Sequence, residues 1–404
     1  MLTFNYSARD QATNKIIKST VQAESERAAA KLLLGRNLTP LKISIEGENK
    51  SFLDKLSNHV STKDKVIFTR QLATLINAGL PLAQSLHTVQ DQTTNKRLKV
   101  VVQDIISSVE GGSALAKAFA KHPDLFNEIY VALIAAGEVS GTLDKSLERI
   151  ADQQEKDAAI ASKIRGAMVY PLIVVFVMIG VVVFMLTTVV PQIKILYDNL
   201  HKELPTLTAV MVASADFLVH FWWLIIIVLF LGVWYLRHYA KTPAGIRTFD
   251  TLKINMPLFG DMFKKLYMAR FARTGETLLI SGVQMLEMLR ISSQAVGNVL
   301  VAEAITRTSE KVKSGKSLAS SLKNEEYILP LVYQMISIGE QSGGVDAMMG
   351  KAASFYENEL DDAIKAISTS IEPILMVLLA VVAGGMVGAI LFPVYNLSST
   401  TSLG

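Results

Sequence analysis

The chain has 404 residues, half of them hydrophobic and only 7% aromatic, with a formal net charge of +4. A mean hydropathy of +0.34 is too apolar for an ordinary soluble protein and far from a disordered one, so residence in a membrane is the first expectation. The lack of cysteine excludes disulfide frameworks, thiolate-ligated zinc, iron–sulfur clusters and cysteine nucleophiles, and the near-balanced charge gives little support for a nucleic-acid partner.

In the first fifty residues Phe4, Tyr6 and Ala8 alternate with polar residues, Asp10 to Asn14 offers a turn, and Lys15 to Val21 can return as a second strand. Glu24 to Leu34 reads as a helix ended by Gly35, and Leu38 to Ile45 as a strand. The expectation is a ββαβ module over residues 1–46, then a polar linker over 47–61.

Residues 62–167 read as a helical bundle, because Phe68, Leu72, Leu75, Ile76 and Gly79 recur at spacings of three and four. The stretch 168–190 has no ionisable side chain but a tyrosine, and at about 1.5 Å per residue it spans a hydrocarbon core of about 30 Å. A short segment, 191–216, precedes a second apolar run, 217–236, with Trp222 and Trp223 toward one end and Trp234 and Tyr235 at the other, as in interfacial aromatic belts. A second bundle is expected over 237–371, a third span over 372–395, and a tail over 396–404. None of the three spans is N-terminal, so no cleavable signal peptide is expected.

Lys and Arg number 22 in residues 1–167, 2 between Pro191 and Asp216, 16 between Arg237 and Ile371, and none after. Basic segments are retained in the cytoplasm, so the N-terminus and both bundles are expected there, with the 191–216 segment and the C-terminal tail outside.

Self-comparison shows a repeat. At an offset of 203 residues Phe68 and Arg70 match Phe271 and Arg273, Gly79 matches Gly282, and Gly112 matches Gly315. After a one-residue deletion the offset is 202, and Gly137-Glu138-Val139-Ser140-Gly141 matches Gly339-Glu340-Gln341-Ser342-Gly343, Glu155 matches Glu357, and Pro171 and Pro191 match Pro373 and Pro393. Each copy is a helical region followed by one span. The unpaired middle span returns the chain so that both copies face one compartment, a parallel repeat about an axis along the membrane normal. The fold class expected is mainly α: a polytopic membrane protein with two repeated cytoplasmic helical bundles, three transmembrane helices and a small N-terminal α+β module.

Ser314-Gly315-Lys316-Ser317 imitates the end of a phosphate-binding loop, but Glu310 stands where its first glycine belongs and the context is helical. Nucleotide use is therefore expected of a partner, with no cofactor and no catalytic constellation in this chain. Glu138 and Glu340 leave two readings open: ligands of a hard cation or a proton relay, or carboxylates that cap a following helix or face a basic partner. Gly384 and Gly388 form a Gly-x-x-x-Gly pair, suited equally to self-association and to packing against the chain's own spans. The prolines, twenty residues apart in each copy, are expected to fix where helices enter the membrane and where they stop outside. With almost no ionisable group in the spans, a permease or pore is disfavoured.

Taken together, Phe68-Thr69-Arg70-Gln71-Leu72-Ala73-Thr74-Leu75-Ile76-Asn77-Ala78-Gly79-Leu80-Pro81-Leu82, Gly137-Glu138-Val139-Ser140-Gly141-Thr142-Leu143 and Tyr170-Pro171, with weaker second copies, resemble the type II secretion F domain family. The opening Phe4 to Asp10 and Leu38-Thr39-Pro40-Leu41 resemble that family's leader module. The resemblance implies about six helices per half and an inner-membrane platform of a type IV pilus or a type II secretion machine. It implies a mechanical role, not an enzyme, with a cytoplasmic hexameric ATPase, pilin or pseudopilin subunits, inner-membrane alignment proteins, lipid and further copies of the chain as partners. Phe68, Arg70, Gln71, Gly79, Pro81, Gly137, Glu138, Ser140, Gly141, Pro171, Phe271, Arg273, Gly282, Gly339, Glu340, Ser342, Gly343 and Pro373 are the motif and candidate interaction residues. Arg70-Gln71-Leu72-Ala73 becomes Arg273-Thr274-Gly275-Glu276 and Pro81 becomes Gln284, so the halves need not be equivalent.

Overall fold

A computed structural model describes residues 2–10, 16–23, 28, 30, 32, 33, 35, 38–45, 59–199 and 206–401. They divide into two compact units, residues 1–61 with 93–100, and the remainder.

The first unit carries three strands: β1 (Leu2–Asp10), β2 (Ile16–Ala23) and β3 (Leu38–Ile45). β1 lies in the middle, antiparallel to both neighbours, with Tyr6 opposite Ser19 on one side and Ile43 on the other. The β1–β3 register slips between Ser7 and Ala8, where Pro40 sits opposite Ala8 on an edge strand. A proline donates nothing to a ladder, so an edge beside a bulge suits it. Ala8, Val21, Ala23 and Leu33 make the small core. Residues 28, 30, 32 and 33 are helical; the rest of the helix expected over Glu24–Leu34, and most of the expected linker, lie outside the described residues.

The first copy of the repeat is α1 (Thr62–Asn77), α2 (Leu82–Gln92), α3 (Lys96–Glu110), α4 (Leu115–Ala120), α5 (Glu128–Ser140) and α6 (Leu143–Phe184). A π-turn (Met185–Val189) joins α6 to α7 (Val190–Asn199). Then come α8 (Thr206–Tyr239) and α9 (Pro243–Asn255). The second copy is α10 (Gly260–Ile280), α11 (Met285–Ala295), α12 (Val299–Lys313), α13 (Leu318–Lys323), α14 (Pro330–Ser342) and α15 (Val345–Thr401). Six helices match six, and α9 stands outside the duplication.

Helix starts follow the local chemistry. Asn127 accepts the Tyr130 N–H at the head of α5, Asn298 accepts those of Leu300 and Val301 at the head of α12, and Thr242 accepts that of Gly245 just before Pro243 opens α9. The imitation of a phosphate loop proves to be a helix–turn–helix: α12 ends at Lys313, Gly315 turns at φ 91°, and Ser317 caps α13 by accepting the Ser320 N–H.

Among the described residues three helices are long and apolar enough to cross a membrane, within Leu143–Asn199, Ala209–Tyr239 and Val345–Gly388. The prolines act otherwise than expected from sequence. α6 runs from the bundle straight through Pro171, α15 runs straight through Pro373 and past residue 393, and α7 continues eight residues beyond Pro191. Proline lacks an N–H and its ring crowds the carbonyl four residues back, here that of Thr187. The chain widens into the π-turn immediately before it, where the Val190 N–H reaches the Met185 carbonyl, and so keeps its direction instead of ending. α8 kinks at Phe221 (φ −114°), and the Trp223 indole donates to the His220 carbonyl at 3.2 Å beside the break.

Candidate functional site

The candidate residues assemble into the same joint twice, where the short helices of each copy meet its long helix. In the first copy the Arg70 guanidinium of α1 holds Glu155 of α6 through two bonds, Nε to Oε1 at 2.6 Å and a terminal nitrogen to Oε2 at 2.7 Å, and reaches Asp152 at 2.5 Å. In the second, Arg273 of α10 holds Glu357 of α15 through the same pair of bonds, both 2.7 Å, and also contacts Glu276 and Ser354. Ser354 occupies the place of Asp152, so Glu276 supplies the second carboxylate. The planar fork of arginine matches a carboxylate in this bidentate way and ties two helices at a fixed angle. The Arg70 guanidinium is held more firmly protonated by its bonds to Glu155 and then Asp152. The pairs are half-exposed in the first copy and largely covered in the second.

Gly-Glu-x-Ser-Gly closes the joint. Gly137 lies so near α6 that a Cβ there would meet the Ser146 Oγ at 2.4 Å, and one at Gly339 would meet the Val345 Cα at 2.7 Å. Glu138 accepts the Leu115 and Ala116 N–H groups at 2.6 and 3.1 Å, and Glu340 accepts those of Leu318 and Ala319 at the same two distances. Each carboxylate thus caps the short helix that precedes it by some twenty residues, not the one that follows. A short helix leaves its first N–H groups without partners, and the carboxylate satisfies two of them with a charge that suits that end. Ser140 and Ser342 bond back to the carbonyls of Ala136 and Ile338, four residues earlier. Gly141 (φ 71°) and Gly343 (φ 76°) end the helices in the left-handed region, and the next N–H returns to Gly137 or Gly339. Only glycine enters that region without strain, which explains the final letter of the motif.

The other candidates scatter around this joint. Phe68 is buried among Phe119, Phe126 and Tyr130, with ring centroids 4.6 to 6.5 Å apart across the cluster. Phe271 is buried too. Gln71 donates to Gln92 at 2.9 Å, Gly79 and Gly282 turn at φ 85° and 82°, and the Pro81 carbonyl accepts the Ser85 N–H to start α2. Pro171 and Pro373 lie away from the joint, inside the long helices.

Contacts between the copies carry no sequence motif. Arg149 donates to Ser281 at 3.0 Å, Lys163 pairs with Asp361 at 2.6 Å, and Arg290 bridges Glu287 and Glu128. Such pairs form across about 130 to 200 residues of chain, and no spacing in the sequence signals them. Among the described residues no group of three His, Asp or Glu side chains is placed to hold a metal.

The model of the type II secretion system protein F domain matches this chain twice, over residues 68–191 and 271–393, and that of the protein's N-terminal domain matches residues 1–44. The chain belongs to the type II secretion system protein F family. The two matches coincide with the two copies of the joint and their long helices. A type IV pilus assembly protein PilC of Thermus thermophilus is 36% identical over the whole of both chains, and one of Myxococcus xanthus is 37% identical over 94% of this chain and 92% of its own. A type II secretion system protein F of Vibrio cholerae is 30% identical, again over the whole of both chains.

Proposed function

We propose that this family member is an inner-membrane platform of a type IV pilus, coupling a cytoplasmic hexameric ATPase to the insertion of pilin subunits into the filament or their removal from it. The observation that carries the reading is the continuity of α6 and α15: each starts in a bundle, is clamped there by an arginine, and runs unbroken into its apolar segment. At about 1.5 Å per residue, the 42 residues of α6 reach about 63 Å and the 57 of α15 about 85 Å. Rods of that length carry a push or a twist from bundle to bilayer without a hinge.

The distribution of Lys and Arg supports a cytoplasmic N-terminus, cytoplasmic bundles and an external C-terminus. Residues 1–46 form the small ββαβ module, and alignment proteins of the inner membrane and further copies of the chain complete the platform. The alternative client is a pseudopilin of a secretion system, favoured by the relative from Vibrio cholerae; the higher identities to the pilus proteins favour the pilus.

The test is a break in one rod. Replacing Ala158–Ala159 of α6 by Gly-Pro uncouples bundle from membrane. The variant should still insert and still co-purify with the ATPase, yet assemble no filaments. Normal piliation would contradict transmission through α6.

A further inference from the structure

Two cavities in the helical unit share one wall residue, Lys253. The first, about 320 Å³, is lined by Ile164, Met168, Met256, Phe259, Phe263 and Ile367, so its surface is almost wholly hydrocarbon. The second, about 520 Å³, is mixed: Asp250, Ser293, Gln294 and Asn298 face it together with Ile246 and Phe249, and Ala240 bounds it near the end of α8.

Both lie where helices leave the bundle. Met168 begins the apolar run of α6, Ile367 precedes that of α15 by a few residues, and Ala240 directly follows α8. Asp250 is buried; one of its oxygens accepts the Val299 N–H at 2.9 Å and the other holds the Lys253 ammonium at 2.8 Å, which fixes that cation between the cavities. Arg165 and Lys241, chain neighbours of the lining residues Ile164 and Ala240, are exposed, and among the described residues neither forms an ion pair. Exposed Ile246, Leu252 and Leu258 continue the apolar surface along α9 and the turn after it. That turn is strained, with Leu258 at φ 73°, and it carries Met256 and Phe259. Among the described residues α9 has no counterpart in the first copy, and the arrangement occurs once.

An apolar hollow beside a partly polar one, divided by a lysine at the edge of the bilayer, has the partition of a glycerophospholipid, and cations at that level favour an anionic one. The geometry points to a phospholipid site: one acyl chain in the apolar cavity and an acidic headgroup in the partly polar cavity against Lys253. The site rests on the three apolar helices and is independent of the coupling role proposed above.

The full chain, purified in mild detergent, is examined by native mass spectrometry with added phosphatidylglycerol or phosphatidylcholine. The unaltered protein should retain phosphatidylglycerol preferentially. Arg165→Ala and Lys241→Ala, neither of which touches the fold's core, should each weaken that preference about five-fold. Ala167→Phe, which fills the apolar cavity from its lining, should abolish retention of both lipids; Ile367→Ser, which makes the cavity polar, does the same should the first variant not fold. Equal retention of the two lipids, retention undiminished in the cavity variants, or capture of an apolar peptide with no lipid would each overturn the assignment.

Discussion

Phe68, Phe119, Phe126 and Tyr130 fill the first bundle, and at the corresponding positions the second has Phe271, Leu322, Ile328 and Val332, all buried. His122 of the first copy faces Asp104 at 2.9 Å, whereas the matching Glu325 faces Arg307 at 2.7 Å, the same contact with the carboxylate on the other side. Yet the Glu138 and Glu340 caps agree to a tenth of an ångström, and Gly141 and Gly343 agree within 5° in φ. Core shape and the side that carries the carboxylate are free to vary provided volume and pairing are kept, because apolar packing is tolerant of exchange. A capped helix end or a left-handed turn has far fewer chemical solutions, and these are what the two copies share.

The largest effect that probes this contrast is in the core. Phe119→Ala should cost about 3–5 kcal/mol and Leu322→Ala about 2–5 kcal/mol, each speeding amide exchange in its own bundle. Faster exchange in both bundles from either variant would show that they do not open separately. Next come the close approaches. Gly137→Ala and Gly339→Ala should each cost about 1–3 kcal/mol, because each new Cβ meets a fixed atom at 2.7 Å, the Ser146 Cβ or the Val345 Cα; thermal unfolding in detergent checks both.

The caps follow. Glu138→Ala and Glu340→Ala should cost about 0.5–2 kcal/mol each, and equally, since their geometry is equal; a difference above that range would mean that one carboxylate serves a partner as well. The smallest effect tests the exchanged carboxylate. Burial pushes Glu325 up, but its bonds to Arg307 and Lys311 outweigh this and hold its carboxyl below the ordinary value of 4.5. The stabilisation is therefore present above pH 4.5 and lost as pH falls through the lower, folded-state value. Glu325→Gln should be less stable than the parent at neutral pH, and the gap should close on acidification; a gap independent of pH would remove the ion pair from the account.

The duplication, the three apolar runs and the helical nature of the bundles were legible in the sequence, because residue spacing is local, whereas the six helices of each copy were implied only by the resemblance. Gly-Glu-x-Ser-Gly was legible as a motif but not as a mechanism: the carboxylate reaches back 22 residues or so, and no periodicity joins Glu138 to Leu115. The prolines misled for a local reason, since Pro191 alone signals a stop and only the π-turn beside it absorbs the crowding. The Gly-x-x-x-Gly of α15 leaves two uses open, and among the described residues a Cβ at Gly384 or Gly388 would meet nothing within 4 Å.

The central claim is that two copies of one bundle face a single compartment, with the segment around Asn199 on the other side. A chain without cysteine accepts single cysteines at Lys121 and Asn324, the matching ends of α4 and α13, and at Asn199. With a membrane-impermeant maleimide and intact inner membranes, Asn199→Cys should label, while Lys121→Cys and Asn324→Cys should label only after permeabilisation. Opposite behaviour of the two bundle positions would contradict the parallel arrangement and the coupling built on it.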